Sequence, residues 1–168
     1  MAAQLLVRQA GEGERLAFAG GGLITVKAST AETDGGFLLF EDRVTRGKTT
    51  PLHVHPHDDE AIYVLAGELV VHVAGEERRV GAGGFLLAPR GVPHALLVVS
   101  PSAHLLALMT PGSGEAFFRA ASDPAQSHAD AERPADIPRL VGVAATDPSI
   151  DVLGPPPFEA IARSTAAT

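Results

Sequence analysis

Short apolar runs separated by turn residues follow one another through the first two thirds of the chain. Glycine-rich turns at 11–13, 20–22 and 81–84 punctuate the pattern, and Ala74-Gly75-Glu76 is typical of a hairpin. The apolar runs lie at 5–7, 15–18, 23–26, 37–40, 60–65, 68–73, 85–88, 94–99 and 103–109, and residues 77–80 alternate as a more exposed strand would. Because no helical pattern interrupts them, they predict an all-β fold, an antiparallel sandwich or barrel.

The chain divides into three parts of what we expect to be one domain. Residues 1–35 read as N-terminal strands or an arm, residues 36–110 as the barrel core, and residues 111–168 as a helical extension and tail. The strand that opens the core, at 37–40, is expected to end at the polar residues 41–43.

The pattern changes after Thr110, where helices are predicted. Ser113 is expected to cap a short helix from Gly114 to Ala121, and Asp136 to begin a second one that runs to about Ala145. The rest of this part is predicted to be irregular: a mobile loop at 123–134, a polyproline stretch at 155–157 and a tail at 158–168.

A cluster of histidines and a glutamate gives the chain its clearest chemistry. His53 and His55 alternate along a strand, so both imidazoles face the same way about 6.6 Å apart. Glu60 opens a returning strand and is expected to face them across a hairpin, and His94 follows a Pro-Gly turn. Three imidazoles and one carboxylate suit one divalent transition metal, such as Fe, Ni, Mn, Co or Zn.

The spacing of these residues resembles the two motifs of the cupin superfamily. The first motif, G-x5-H-x-H-x3,4-E-x6-G, is matched from Gly47 to Gly67, and the second, G-x5-P-x-G-x2-H-x3-N, from Gly83 to His94. Val98 stands where the family has its final Asn, which is not a ligand there. The resemblance implies a cupin β-barrel, that is a double-stranded β-helix or jelly roll, with short C-terminal helices.

Beyond the motifs, the chain is similar to single-domain quercetinase-like cupins. The stretch from His53 to Glu68, the Pro-Gly-x2-Glu-x-Phe-Phe stretch at 111–118 and the Leu-Gly-Pro-Pro stretch at 153–156 all have counterparts in that group. This likeness implies a metal-dependent dioxygenase in which Glu60 deprotonates a metal-bound flavonol or related enol before dioxygen attacks.

Strand alternation also predicts the surroundings of the metal. Ile62 and Val64 share the parity of Glu60, and Leu96 and Val98 share that of His94, so these four are predicted to line an apolar substrate cavity largely free of lysine and arginine. The remaining candidates are interpreted as structural: His57 as solvated, Tyr63 as turned away from the metal, Phe117 and Phe118 as core, and His72, His104 and His128 as ordinary surface or partly buried imidazoles.

Composition narrows the function classes. The 168 residues are 45% hydrophobic, enough for one sizeable core, and the net charge of −7 without a basic cluster argues against a nucleic-acid partner. The absence of cysteine excludes thiol chemistry, and no long apolar run indicates a membrane segment or signal peptide. We expect a soluble cytoplasmic homodimer whose partners are a small-molecule substrate and O₂.

Three functions remain open from the sequence. The first is a dioxygenase of a small hydroxylated aromatic or enol compound. The second is a non-catalytic module that binds or senses a small molecule through the metal, because one fold hosts both kinds of function. The third, a metal-dependent isomerase, fits an apolar cavity poorly and would be favoured by polar or basic residues in its wall.

Overall fold

A computed structural model describes residues 5–125 and 127–158, which form two antiparallel β-sheets. The strands are β1 (Glu14–Phe18), β2 (Leu23–Ala28), β3 (Leu38–Thr45), β4 (Leu52–Val54), β5 (Asp59–Ala66), β6 (Glu68–Val73), β7 (Glu76–Gly81), β8 (Phe85–Ala88), β9 (His94–Val98), β10 (Ser102–Thr110), β11 (Ser122–Pro124) and β12 (Asp151–Gly154). Their order is β11-β1-β2-β3-β10-β5-β8 in the first sheet and β12-β4-β9-β6-β7 in the second. The all-β prediction is confirmed.

Period-two alternation of apolar side chains builds the space between the sheets. Along β10, buried residues alternate with partly exposed ones over the whole strand, and β3 follows the same rule. The core residues that face one another include Leu38, Phe40, Val64, Leu69, Val98 and Met109. The predicted hairpin joins β6 to β7, where Ala74 and Gly75 both have positive φ, as a two-residue hairpin turn requires.

Strand β3 is longer than predicted. The expected end at residues 41–43 is wrong, because the strand continues to Thr45 and pairs with β2 and β10 on its two sides. The polar residues follow the same alternation as the rest of the strand, so Asp42 points inward and is buried.

The two strands that carry the histidine–glutamate motif do not form a hairpin. β4 pairs with β9 and β12 in the second sheet, whereas β5 pairs with β10 and β8 in the first. The chain crosses from one sheet to the other between Val54 and Asp59, so Glu60 faces the histidines across the interior of the barrel rather than within one sheet.

The C-terminal part contains the two expected helices, α1 (Glu115–Ala120) and α2 (Ile137–Ala144). Asp136 caps α2, since its side chain accepts a hydrogen bond from the N–H of Arg139. The predicted cap of α1 is wrong: the N-cap is Gly114, and the hydroxyl of Ser113 donates to Asp58 instead.

The segments predicted as irregular contain short regular elements. Strand β11 pairs with β1 and overlaps the start of the expected loop at 123–134, and a 3₁₀ helix spans His128–Glu132 within that loop. Strand β12, which precedes the prolines, was not predicted and lies beside β4. Residues 1–4 and the tail beyond Phe158 fall outside the described residues, and within the described ones no helix is long and apolar enough to cross a membrane.

Candidate metal centre

His53, His55, Glu60 and His94 converge at one point between the sheets. One ligand atom from each lies within 4.8 Å of those of the other three, and all four residues are buried. His53 and His94 are direct register partners on β4 and β9, and their ring centroids are 4.3 Å apart. Glu60 reaches the same point from β5 in the opposite sheet, so the cluster joins the two halves of the barrel.

Each imidazole is oriented by a backbone carbonyl at its Nδ1. His53 bonds the carbonyl of Pro51 at 2.9 Å, and His94 bonds that of Val92 at 2.9 Å. His55 bonds the carbonyl of Ser149 at 3.1 Å, from the segment just before β12. A carbonyl can only accept, so all three Nδ1 atoms carry hydrogen and every Nε2 is directed to the centre. Such outer partners are what fix the tautomer and ring plane of histidine ligands in metal sites.

The electrostatics of the cluster suit a cation. Burial raises the pKa of Glu60, but the hydrogen bond from His94 and the nearby His55 outweigh it and lower this pKa to about 2. Burial, followed by the neighbouring His94 and His55, lowers the pKa of His53 to about 3. The group therefore contains an ionised carboxylate and at least one neutral imidazole at neutral pH, which are the protonation states that metal ligands need.

His94 is the exception within the cluster. Burial lowers its pKa, but the 3.0 Å hydrogen bond to Glu60 outweighs burial and leaves the pKa raised. A metal ion at the centre would replace this hydrogen bond, with Nε2 of His94 and the carboxylate of Glu60 both as ligands. The donor set of three nitrogens and one carboxylate oxygen fits a divalent first-row transition metal.

A cavity opens beside the cluster and is lined largely by apolar side chains. Its volume is about 70 Å³, which is room for a few waters or a small ligand. Its apolar wall includes Phe18, Ile24, Phe40, Ile62, Leu96, Leu105, Phe117, Phe118, Leu140, Ile150 and Val152. Thus Phe117 and Phe118 pack in the core as predicted, and they also form part of the cavity wall.

The predicted substrate-binding residues separate into two pairs. Ile62 and Leu96 line the cavity, whereas Val64 and Val98 are almost fully buried in the hydrophobic core and are not among its lining residues. The wall is largely free of lysine and arginine among the described residues, and the exception is Lys48, which lines the cavity together with Asp42. Alternation along β3 from Phe40 to Val44 was the signal that could have placed Asp42 inside.

The C-terminal contribution was also missed by the sequence reasoning. Ser149 orients His55, while Ile150 and Val152 close one side of the cavity. No local pattern in this stretch indicates a role at the site. The segment reaches the site only because β12 pairs with β4, a strand about a hundred positions earlier in the sequence.

The other histidines agree with their structural interpretation where the structure describes them. His57 is exposed in the turn and is not part of the cluster. His104 donates to Glu41 on the neighbouring strand, and His72 lies partly buried near Glu77. The side chain of His128 lies outside the described residues.

Tyr63 is 43% exposed on the outer face of β5, away from the cluster as predicted.

With this geometry in place, comparison with known proteins identifies the fold. Residues 41–110 match the family of cupin domains, a range that contains all four residues of the cluster. This chain has a cupin domain. The resemblance and the fold that the two motifs predicted are therefore confirmed.

The relatives of this cupin differ in their names. Over 122 residues, 73% of this chain, it is 30% identical to a quercetin 2,3-dioxygenase of Bacillus subtilis (strain 168), and the match spans only 36% of that protein's length. An RmlC-like cupin from Shewanella frigidimarina is 20% identical, with a TM-score of 0.57 over 67% of this chain and 96% of its own. A predicted oxalate decarboxylase from Thermotoga maritima is 21% identical, with a TM-score of 0.56 over 63% of this chain and 98% of its own. The latter two support the fold alone.

Proposed function

We propose that this cupin is a metal-dependent dioxygenase that acts on a small hydroxylated aromatic or enol compound of flavonol-like chemistry. The observation that carries the proposal is the buried cluster of three nitrogens and one carboxylate, with every imidazole locked by a backbone carbonyl, beside an apolar cavity. The sequence similarity to a quercetin 2,3-dioxygenase supports the reaction class.

The metal would be held by His53, His55, Glu60 and His94. When bound, a divalent transition metal would supply an acidifying site for a substrate hydroxyl and a place for dioxygen to react. Ile62 and Leu96, together with Phe117 and Phe118, would hold the carbon skeleton of the substrate and exclude water.

Glu60 is the base in this proposal. Burial raises its pKa, but the surrounding histidines outweigh burial and keep it low, so Glu60 is ionised at neutral pH and can accept a proton. The hydroxyl of an enol, made more acidic by a bound metal, would be a suitable proton donor.

An isomerase of phosphorylated sugars is less well supported. Lys48 is a basic residue in the cavity wall, but Asp42 balances its charge at 2.8 Å. No other lysine or arginine is among the described residues that line the cavity. A phosphate group would find no uncompensated positive charge there except that of the metal.

Oxygen uptake tests the proposal. The iron, nickel, cobalt and manganese forms would be assayed against a panel of flavonols and smaller enols, with Glu60→Gln at matched metal content. We expect turnover in at least one wild-type form and a fall of about 10²–10⁴-fold in Glu60→Gln, the range of general-base catalysis. Equal rates in both proteins would remove Glu60 as the base, and no uptake with any enol would favour a non-catalytic binding or sensing module.

Elemental analysis of the same preparations tests the ligand set. His94→Ala should lose metal because it removes one of four converging donors, while the exposed His57 provides a matched control. His57→Ala should retain full occupancy. Unchanged occupancy in His94→Ala would contradict the assignment.

We also propose that the protein is a homodimer. Tyr63 and Leu65 on β5 and Phe85 and Leu87 on β8 form an exposed apolar face, and β8 is an edge strand of its sheet among the described residues. A second copy suits this face, because two β8 edges related by a twofold axis can pair antiparallel and bury the same four side chains on each subunit.

A further inference from the structure

The cavity wall contains a second polar site besides the histidine–glutamate cluster. Lys48 and Asp42 form an ion pair of 2.8 Å, and their side chains are only 8% and 12% exposed. Both residues line the same cavity as His53, His55 and Glu60, and most of its other lining residues are apolar. The carboxylate of Glu60 contributes to the raised pKa of Asp42, after burial as the main cause, so the two sites interact electrostatically.

This ion pair is incompletely satisfied. The ammonium of Lys48 can donate three hydrogen bonds, but Asp42 is its one acceptor among the described residues, and its other contact is the face of Phe18 at 5.5 Å. Asp42 Oδ1 is buried and has no hydrogen-bond partner among those residues. Replacement of a buried ion pair by well-packed hydrophobic residues is often neutral or stabilising. Stability alone therefore does not explain why a lysine occupies position 48.

We propose that Lys48 is a specificity-determining residue that donates a hydrogen bond to a second oxygen of the substrate, distant from the metal-binding oxygens. Asp42 holds the ammonium in place. The inference rests on the metal-binding part of the proposed function and does not depend on oxygen chemistry. The substrate expected from this inference is a molecule with polar oxygens at both ends and an apolar ring between them.

The charges of the cavity add a second restriction. A divalent metal, the ionised carboxylates of Glu60 and Asp42 and the ammonium of Lys48 together leave one positive charge. A singly charged enolate or phenolate neutralises it once the proton that Glu60 accepts has passed to solvent. A doubly charged dicarboxylate would leave a net negative charge in a site of low dielectric constant, which is unfavourable. The oxygen at Lys48 therefore belongs to a neutral group, a hydroxyl or a carbonyl.

Two small enols that differ by one hydroxyl provide the probes. Kojic acid chelates metals through its enol and carbonyl oxygens and has a hydroxymethyl group across the ring, and allomaltol is the same compound without that hydroxyl. Binding to the nickel-loaded protein would be measured by calorimetry without oxygen. We expect wild type to bind kojic acid about tenfold or more tightly than allomaltol, the typical effect of a hydrogen bond from a charged donor.

Three variants complete the test. Lys48→Met removes the donor but leaves Asp42 unpaired, so the double variant Lys48→Met/Asp42→Leu, which replaces the pair by apolar residues of similar shape, protects against misfolding. Both should bind the two probes about equally. Lys27→Met is the matched control, because Lys27 is also paired with a carboxylate, that of Glu41, and does not line the cavity. It should keep the wild-type preference.

The outcomes separate this inference from the dioxygenase proposal. A preference for kojic acid that is lost in both Lys48 variants supports the inference, whether or not any enol is oxidised. Equal binding of the two probes by wild type, or a preference that survives in the double variant, overturns it. Failure of both probes to bind the metal-loaded wild type overturns it as well.

Discussion

Asp58 lies between His55 and Glu60 in sequence, and it connects the histidine–glutamate cluster to the helix that follows the barrel. It is 1% exposed and accepts hydrogen bonds from the N–H groups of Gly112, Ser113 and Gly114 and from the hydroxyl of Ser113. An N-cap usually comes from the residue just before a helix. Here a carboxylate more than fifty residues away satisfies the free N–H groups that precede α1.

Asp58→Asn is expected to lower the free energy of unfolding by about 2–4 kcal/mol, because the amide keeps one acceptor oxygen and loses the charge-assisted bonds. Urea denaturation at neutral pH measures the difference. Asp59→Asn is the matched control at the neighbouring position, where the carboxylate forms a surface pair with Arg90. Asp59→Asn should change stability little, and equal losses in the two variants would contradict the role of Asp58.

Helix α1 is the element that forms part of the cavity wall through Phe117 and Phe118. Its first residue, Glu115, fixes it to the β2–β3 loop by accepting hydrogen bonds from the N–H and hydroxyl of Thr30. Burial raises the pKa of Glu115, but the bonds from Thr30 and Arg119 outweigh it and hold this pKa below its ordinary value of 4.5. The helix is thus anchored by a carboxylate that must be ionised.

This anchor predicts a pH dependence of stability. Since the pKa of Glu115 is lower in the folded state, its contribution is present above about pH 4.5 and is lost as the pH falls through the lowered pKa. Glu115→Gln should cost about 1–2 kcal/mol at pH 7 and progressively less below pH 4, as urea denaturation at several pH values would show.

Glu14→Gln provides the comparison for Glu115. Glu14 pairs with the same Arg119, but it is about half exposed. Its substitution should change stability little at either pH. A constant cost of Glu115→Gln across the acid range would show that the ionised carboxylate is not what anchors α1.

At the scale of the whole molecule, the apolar face formed by Tyr63, Leu65, Phe85 and Leu87 predicts the assembly. We expect light scattering at micromolar concentration to return twice the chain mass of 17.3 kDa. Phe85→Glu should shift the protein toward monomers, because it places two like charges in the twofold contact. Val141→Glu on α2, also at an exposed apolar residue, should leave the dimer intact. A wild-type monomer would contradict the prediction.

The sequence by itself determined most strands of the barrel and the candidate ligands. Alternation and turn chemistry act between neighbours, so the β6–β7 hairpin and the start of α2 could be predicted from local residues. Strand parity was sufficient to place His53 and His55 on one face, and the spacing of the cupin motifs grouped them with Glu60 and His94.

Tertiary structure alone decided how the site is enclosed. Three features depend on how the two sheets close. They are the pairing of β4 with β9 and β12 rather than with β5, the hydrogen bond from His55 to the carbonyl of Ser149, and the ion pair of Lys48 with Asp42. Local patterns predict whether a side chain faces the interior, but not which residues it contacts there. Strand pairing between distant segments depends on burial and register across the whole barrel, and no short stretch of sequence contains that information.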